Sequence, residues 1–383
     1  MIHNTNSKSL LEYFKEIEDP RIERHKLYEL EEILLLTTLA TICGAEGFSE
    51  IEEFGKSKID FLQKFLPFLN GIPSHDTIGR VLSLIDINKF EKFFVDWIKS
   101  LSKQIQEVIS IDGKSLRRAC NRGDEKNKKM IQMVSAWGSE SDMVLGSVKV
   151  NDKSNEIKAI PKLLELLDIN NCIITIDAIG TQKEVVKDVI NKGADYILPV
   201  KDNQKSLHED VKLFLDEELK DDNLDSNPNY KEIIDADHGR VETRRYYVTD
   251  DVDWLRKRHT DWWELNLIGV VESIRFDKQT KKQSKERRYY ISSLKPNVTL
   301  FANSVRKHWN IENKLHWRLD VIFKDDDNRT RNQSSATNLS IIKRIVLNVM
   351  QKYKKTKKIS MKSLVKKAGW HEETLRGICQ VEF

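Results

Sequence analysis

Two short apolar runs, each closed by an acid, constrain this chain more than anything else in it. The first is Val108-Ile109-Ser110-Ile111-Asp112-Gly113-Lys114, the second Cys172-Ile173-Ile174-Thr175-Ile176-Asp177-Ala178-Ile179-Gly180. Their β-branched residues predict two buried strands. Each strand delivers one carboxylate to its C-terminal end, and Gly113 lets the backbone turn away after Asp112. Packing gives no reason for an acid there, because a desolvated carboxylate is costly unless it is paired or metal-bound. Two such strands side by side set two carboxylates close together. Like charges that close raise each other's pKa, and a divalent cation between them removes the conflict. The expectation is a Mg²⁺ site suited to phosphodiester chemistry.

The elements around the two runs bear on that pairing. Met130 to Trp137 and Met143 to Val150 read as strands, and Ile160 to Leu167 as a helix opened by Pro161. Thr181 to Lys192 reads as a helix ended by Gly193, and Tyr196 to Val200 as a strand ending in Lys201. The order β-β-β-α-β-α-β is that of a ribonuclease-H-like α/β domain, in which the first and fourth strands are neighbours. Asp112 and Asp177 lie on those two strands. A basic loop, Lys114 to Lys129 with Arg117, Arg118 and Arg122, follows the first of them.

The flanks differ in character. Residues 1–102 read as an all-helical domain, with a Gly71-Ile72-Pro73 turn before a helix that Ser74 caps and that carries Thr77 and Arg80. That stretch fits a helix-turn-helix reader of DNA and fits an ordinary helical bundle equally well. Residues 103–350 form the α/β domain, interrupted at about residues 201–290 by a β-rich insertion. Arg-Arg-Tyr-Tyr occurs twice in it, at Arg244 to Tyr247 and Arg287 to Tyr290. Basic residues beside aromatics suit nucleic acid, but a sheet with one solvated face is the plainer reading of each. Trp254, Trp262 and Trp263 read as core. Val298 to Phe323 reads as a helix whose spacing puts His308, Glu312 and His316 on one stripe and Trp309, Asn313 and Trp317 on the next. Glu312 there is a candidate third carboxylate, and a zinc site from His308 and His316 is a rival without a His-Glu-x-x-His signature. Asp325-Asp326-Asp327 reads as a solvated turn, and residues 351–383 as a basic tail.

Composition narrows the class. Charged residues at 32% and hydrophobic residues at 39% suit a soluble globular protein, and a net charge of +4 permits a nucleic-acid partner without requiring one. The four cysteines, Cys43, Cys120, Cys172 and Cys379, form no Cys-x-x-Cys pair, which argues against a zinc ribbon or redox motif and fits a reducing cytosol. The polar N-terminus is no signal peptide, and the apolar stretch from Ile33 to Ala45 is too short to span a bilayer.

At Asp112, Asp177 and Glu312 the chain resembles bacterial insertion-sequence transposases of the DDE type, in the group that includes the H-repeat-associated proteins. The likeness rests on Asp19-Pro20-Arg21, on Gly71-Ile72-Pro73-Ser74-His75-Asp76-Thr77 with Arg80, on Ile111 to Lys114 and on Asp177 to Gln182. It continues through Lys201 to Gln204, His238 to Arg244, and the helix carrying Arg306, His308-Trp309, Ile311-Glu312-Asn313 and Leu315-His316-Trp317. Two features depart from the pattern: no Tyr precedes Arg306, and Leu319 stands where a Lys is usual. The resemblance implies that Asp112, Asp177 and Glu312 are catalytic and ligate Mg²⁺, with Mn²⁺ as a substitute. It implies cleavage of double-stranded DNA at terminal inverted repeats and strand transfer into target DNA, by two protomers pairing two ends, in the cytoplasm at the nucleoid. Arg80, Lys114, Arg117, Arg118, Lys201, Arg240, Arg244, Arg306, His308, Trp309 and Asn313 are the expected DNA contacts. A transposase-derived DNA-binding protein without transposition, or a ribonuclease-H-like structure-specific nuclease, are the alternatives.

Overall fold

The computed structural model describes residues 8–23, 26–101, 106–119, 130–150, 155–220, 224–237, 240–355 and 357–383; Cys120, Arg122, His238 and Gly239 lie outside these. Six helices come first: α1 (Leu10–Lys15), α2 (Leu30–Ile42), α3 (Phe48–Ser57), α4 (Ile59–Leu62), α5 (His75–Leu84) and α6 (Ile87–Leu101). Then follow β1 (Val108–Leu116), β2 (Ile131–Gly138), β3 (Met143–Lys149), α7 (Glu156–Leu166), β4 (Ile173–Ile176), α8 (Lys183–Asn191), β5 (Asp195–Val200) and α9 (Lys205–Glu218). Next come β6 (Tyr230–Asp237), β7 (Arg240–Thr249), α10 (Asp253–Arg258), β8 (Leu267–Asp277) and β9 (Gln283–Ser292). Last, α11 (Val298–His308) is followed by a π-helical turn, Ile311–His316, and by α12 (Trp317–Val321), α13 (Gln333–Lys354), α14 (Met361–Trp370) and α15 (Glu372–Cys379).

The structure corrects several sequence expectations. β1 does not stop at Asp112 but runs on to Leu116. Gly113 therefore makes no turn; it leaves room for the Glu156 carboxylate, which an added Cβ would meet at 2.2 Å. Pro161 sits inside α7 rather than at its start. It lacks the N–H that would reach the Ile157 carbonyl, and the buried side made by Ala159, Ile160, Leu163 and Leu164 holds the helix despite that loss. The stripe through His308, Glu312 and His316 assumed 3.6 residues per turn; a π turn interrupts the helix there, yet Glu312 and His316 still bring their ligand atoms within 4.8 Å of each other. Finally, β6 has no apolar alternation to announce it, because charges are scattered along Tyr-Lys-Glu-Ile-Ile-Asp-Ala-Asp; pairing with β7 over its whole length makes it a strand.

The chain divides into two compact units, one of Met1–Gln104, Gly113–Leu167 and Ile311–Phe383, the other of Ile105–Asp112 and Asp168–Asn310. In the first, α2 is apolar all round and buried on every side. Its three threonines avoid stranding a polar group by donating to the carbonyl four residues back, each at 2.7 Å. α13 is the spine, buried at every residue from Ser335 to Gln351. Two of its buried amides are tied to neighbouring backbone: Asn338 donates to the Leu82 and Ile85 carbonyls, and Asn348 pairs with both the N–H and the C=O of Val144. The sheet of this unit runs β3-β2-β1, with β2 and β3 antiparallel and β1 contributing the part beyond Gly113.

The Asp325-Asp326-Asp327 run is no solvated turn. Asp325 is 0% exposed and lies 3.5 Å from both Lys343 Nζ and Arg344 Nη1, with the Ser340 hydroxyl donating to it at 2.8 Å. Asp326 meets Lys114 and Arg117, and Asp327 meets Arg118 at 3.0 Å. Nor are residues 351–383 a loose basic tail. Ser360 caps α14, and Leu364, Leu375 and Ile378 join the same apolar core as α2 and α13. The lysines of the stretch are the outer face of helices whose inner face is Met, Leu and Ile.

In the second unit the strand order is β1-β4-β5-β9-β8-β7-β6. β1, β4 and β5 run parallel, and the remaining neighbours are antiparallel. Both Arg-Arg-Tyr-Tyr runs lie on strands that pair with β8. Glu232, Arg245, Glu272 and Arg287 stand directly across from one another on four successive strands, alternating in sign. Arg245 Nε reaches Glu232 and Arg287 Nε reaches Glu272, each at 2.8 Å. Such cross-strand ion pairs account for these arginines as sheet glue. Tyr246 and Tyr290 point inward, and the Tyr290 ring meets Phe301 edge-on at 5.5 Å. Trp262 is buried as expected of core, Trp254 stacks on Phe214, and Trp263 is half-exposed.

Candidate metal and nucleic-acid site

β1 and β4 pair in register from Val108↔Ile173 to Ile111↔Ile176. The next residue on each strand is an aspartate, so parallel pairing alone sets Asp112 beside Asp177. β4 ends there, and the turn after it is built around the second acid: Asp177 Oδ1 accepts the Gly180 N–H at 3.0 Å. The Thr181 hydroxyl donates to the Asp177 and Pro199 carbonyls at 3.3 and 2.8 Å, fixing that turn against β5. Carboxylate oxygens are hard donors of the kind Mg²⁺ and Mn²⁺ take, so these two residues suit those ions better than zinc.

Two hydroxyls anchor the end of α11 to the same strands. Ser110 Oγ donates to the Lys307 carbonyl at 3.3 Å, and Thr175 Oγ1 lies 3.1 Å from His308 Nδ1. Neither Ser110 nor Thr175 was expected to matter from sequence, although a hydroxyl inside each apolar run was the visible signal. Beyond His308 a cavity of about 100 Å³ opens beside Asp177, lined also by Lys201, Arg288, Tyr290 and Trp309. The Arg288 guanidinium sits 5.0 Å from the centre of the Trp309 ring. Arg288 also escapes notice in the sequence, because it sits in a run explained by the sheet. The space offers a cation, an aromatic face and a carboxylate next to one another, which suits a nucleotide unit.

The other expected residues fall as follows. Glu312 and Asn313 are exposed on the π turn, in the first unit, and Arg306 is exposed on the last turn of α11. Arg80, Arg117, Arg118, Lys201 and Arg240 are exposed. Two expectations are overturned. Lys114 is 7% exposed and held by Asp320 at 2.5 Å and Asp326 at 3.0 Å. Arg244 is 8% exposed and held between Asp235 and Glu242. Both charges are spent inside the protein, so neither is a DNA contact. Charge is legible in a sequence; which side of a strand carries it is not.

Burial pushes His308 down to about 4 against the opposing pull of Asp177, and pushes His316 down to about 3, with the Arg344 and Lys114 charges adding to the effect. Both stay neutral in the folded protein at pH values where an unfolded histidine, titrating near 6.5, is already charged. The unfolded chain then binds more protons, so stability drops as pH falls from about 6.5 toward 4. Urea midpoints recorded between pH 7 and 5 should fall steadily, and a His308→Gln, His316→Gln variant should lose most of that slope. A slope unchanged in the variant would assign it elsewhere.

Residues 103–349 match the transposase DDE domain, and residues 11–98 match the domain associated with it. The chain belongs to the DDE transposase family. This DDE transposase is 40% identical over 90% of both chains to YhhI, an H repeat-associated protein of Escherichia coli strain K12 that carries a transposase name. It is 39% identical to the transposase-named YncI of Escherichia coli O157:H7, over 98% of this chain and 96% of that one. A solved structure, that of piggyBac transposase in a synaptic complex with hairpin DNA, aligns at a TM-score of 0.42 and 12% identity, over 96% of this chain and 77% of that one. Membership in the DDE family implies use of a divalent metal. Among the described residues, no helix of this transposase is long and apolar enough to cross a membrane.

Proposed function

We propose that this transposase cuts double-stranded DNA at the inverted repeats of its own element and joins the freed 3′ ends to target DNA. The observation that carries the proposal is the β1–β4 register, which sets Asp112 beside Asp177. In this reading residues 103–350 are a ribonuclease-H-like catalytic domain with its insertion at about residues 201–290. Residues 1–102 form a helical domain that binds DNA. Asp112, Asp177 and Glu312 would hold the divalent metal, Mg²⁺ or Mn²⁺. When bound, the metal lowers the pKa of the attacking hydroxyl and stabilises the leaving oxygen of an in-line displacement.

The protein's own side chains position the DNA. Arg306, Lys201 and Arg288 oppose phosphate charge, and Trp309 offers a ring face to a base at the cut. His308, kept neutral by burial and held by Thr175, accepts or donates a hydrogen bond without adding charge. Arg80, Arg117, Arg118, Arg240 and Asn313 complete the contact set, on two protomers that pair two ends. The substrate places the protein in the cytoplasm, at the nucleoid.

The test is cleavage of a labelled duplex carrying the repeats that flank the gene, with Mg²⁺ or Mn²⁺, wild type beside Glu312→Gln. Metal-dependent nicking at the repeat boundary, lost in the variant, is the expected result. Tight binding without nicking in either protein would replace the proposal with that of a DNA-binding relic.

A further inference from the structure

The first unit holds a groove of about 830 Å³, lined by residues of that unit alone. Three helices begin on its wall: α3 behind Gly47, α5 at His75 and α13 behind Asn332. The positive ends of three backbone dipoles therefore face one space. Ser74 and Asn332 cap two of these helices, but α3 has no side-chain cap, so the N–H groups of its first turn lack one.

The side chains add charge to that field. Arg80, Arg329 and Arg331 line the groove, are exposed, and have no carboxylate partner among the described residues. The arginines of the sheet, by contrast, are committed to acids: Arg244, Arg245 and Arg287 are each ion-paired. Arg118 also lines the groove and meets Asp327 at 3.0 Å; Asp76 and Glu46 are the wall's other acids, and His75, 3.6 Å from Asp76, is held more closely by Glu52 at 2.7 Å. Asn328 is a separate sign. It lines the groove at 5% exposure, its Oδ1 takes the Thr330 N–H at 2.9 Å, and its Nδ2 has no acceptor among the described residues. A buried amide left without an acceptor costs stability that a bound oxygen would restore.

We propose that this groove takes a run of DNA backbone phosphates, with Arg80, Arg329 and Arg331 as the contacting cations; the proposal rests on the transposase reading. The volume exceeds what a single phosphate ion fills and suits a sugar–phosphate tract. Guanidinium forks match phosphate oxygens in pairs, and helix starts donate to the same oxygens. Nothing here reads a base edge, so the contact fixes position on DNA rather than sequence. Terminal-repeat DNA and target DNA present the same phosphates.

The experiment uses the full chain, wild type and Arg329→Gln/Arg331→Gln, on two labelled duplexes, one with the flanking repeat and one of unrelated sequence. Affinity is measured across a salt series, with nicking in Mg²⁺ read from the same preparations. Removing one arginine–phosphate pair should lower the log–log salt slope by ~0.9, so the double variant should lower it by roughly 2. A lower slope on the repeat duplex alone assigns the groove to terminal DNA, and a lower slope on both, or on the unrelated duplex alone, to DNA held without regard to sequence. Either supports the proposal, and Arg329→Lys/Arg331→Lys should recover most of the slope. Unchanged slopes on both duplexes overturn it. If the double variant melts early, Arg80→Gln on α5 reads the same groove from another element. Wild-type nicking with no change in slope removes the groove and keeps the transposase; a lowered slope without wild-type nicking does the reverse.

Discussion

Asp112→Asn should abolish strand cleavage and leave binding of repeat DNA intact. The substitution keeps the size of the side chain but removes the charge beside Asp177, and an amide is a poor ligand for a hard divalent cation. Losing several kcal/mol of stabilisation for the in-line displacement lowers the rate by about a thousand-fold or more. Binding survives because the exposed arginines proposed to hold the duplex are other residues on other elements. Single-turnover nicking and a mobility-shift titration on one preparation check both halves. Loss of binding together with cleavage would mean that Asp112 props up the fold and does not serve the reaction.

Asp325→Ala should cost about 3–5 kcal/mol, the usual penalty for orphaning a buried charge. The carboxylate is the shared partner of Lys343 and Arg344, and all three are 0% exposed. Those two cations hold Asp325 below the usual carboxylate range despite a burial penalty that pulls the other way. Removing it leaves two positive charges inside the spine helix α13 with no water to reach them. Urea denaturation measures the loss, and a change below about 1 kcal/mol would show that solvent enters the site freely. Replacing all three residues with apolar ones of similar size should recover much of it, because the penalty belongs to the unpaired charges.

The contrast between these two acids explains how far the sequence could be read. Asp112 and Asp177 stand out because each interrupts a run of β-branched residues, and strand pairing converts that pattern into proximity with no further information. Asp325 looked like solvent-facing turn because it has two acidic neighbours; its partners are on a different element, one whose polar residues are scattered among apolar ones. Lys114 and Arg244 were misplaced for the same reason, since burial of a charge is decided by what packs over it. The π turn was hidden because an extra residue in a helix changes the hydrogen-bond ladder and not the composition. One helix end was easy: Ser74 announces it, and the structure uses it as a cap, as it also uses Ser9 and Ser360, which the sequence reading passed over.

The strand β6 has one further consequence, for solubility. It closes one side of its sheet and, among the described residues, leaves a row of backbone groups there with no neighbouring strand. An edge of that kind invites a second molecule to add its own edge and start a filament. If two copies of β6 met antiparallel about Ile233 and Ile234, Glu232 of each would stand across from Asp235 of the other, carboxylate facing carboxylate, which opposes the contact. In that register the strand resists its own copy.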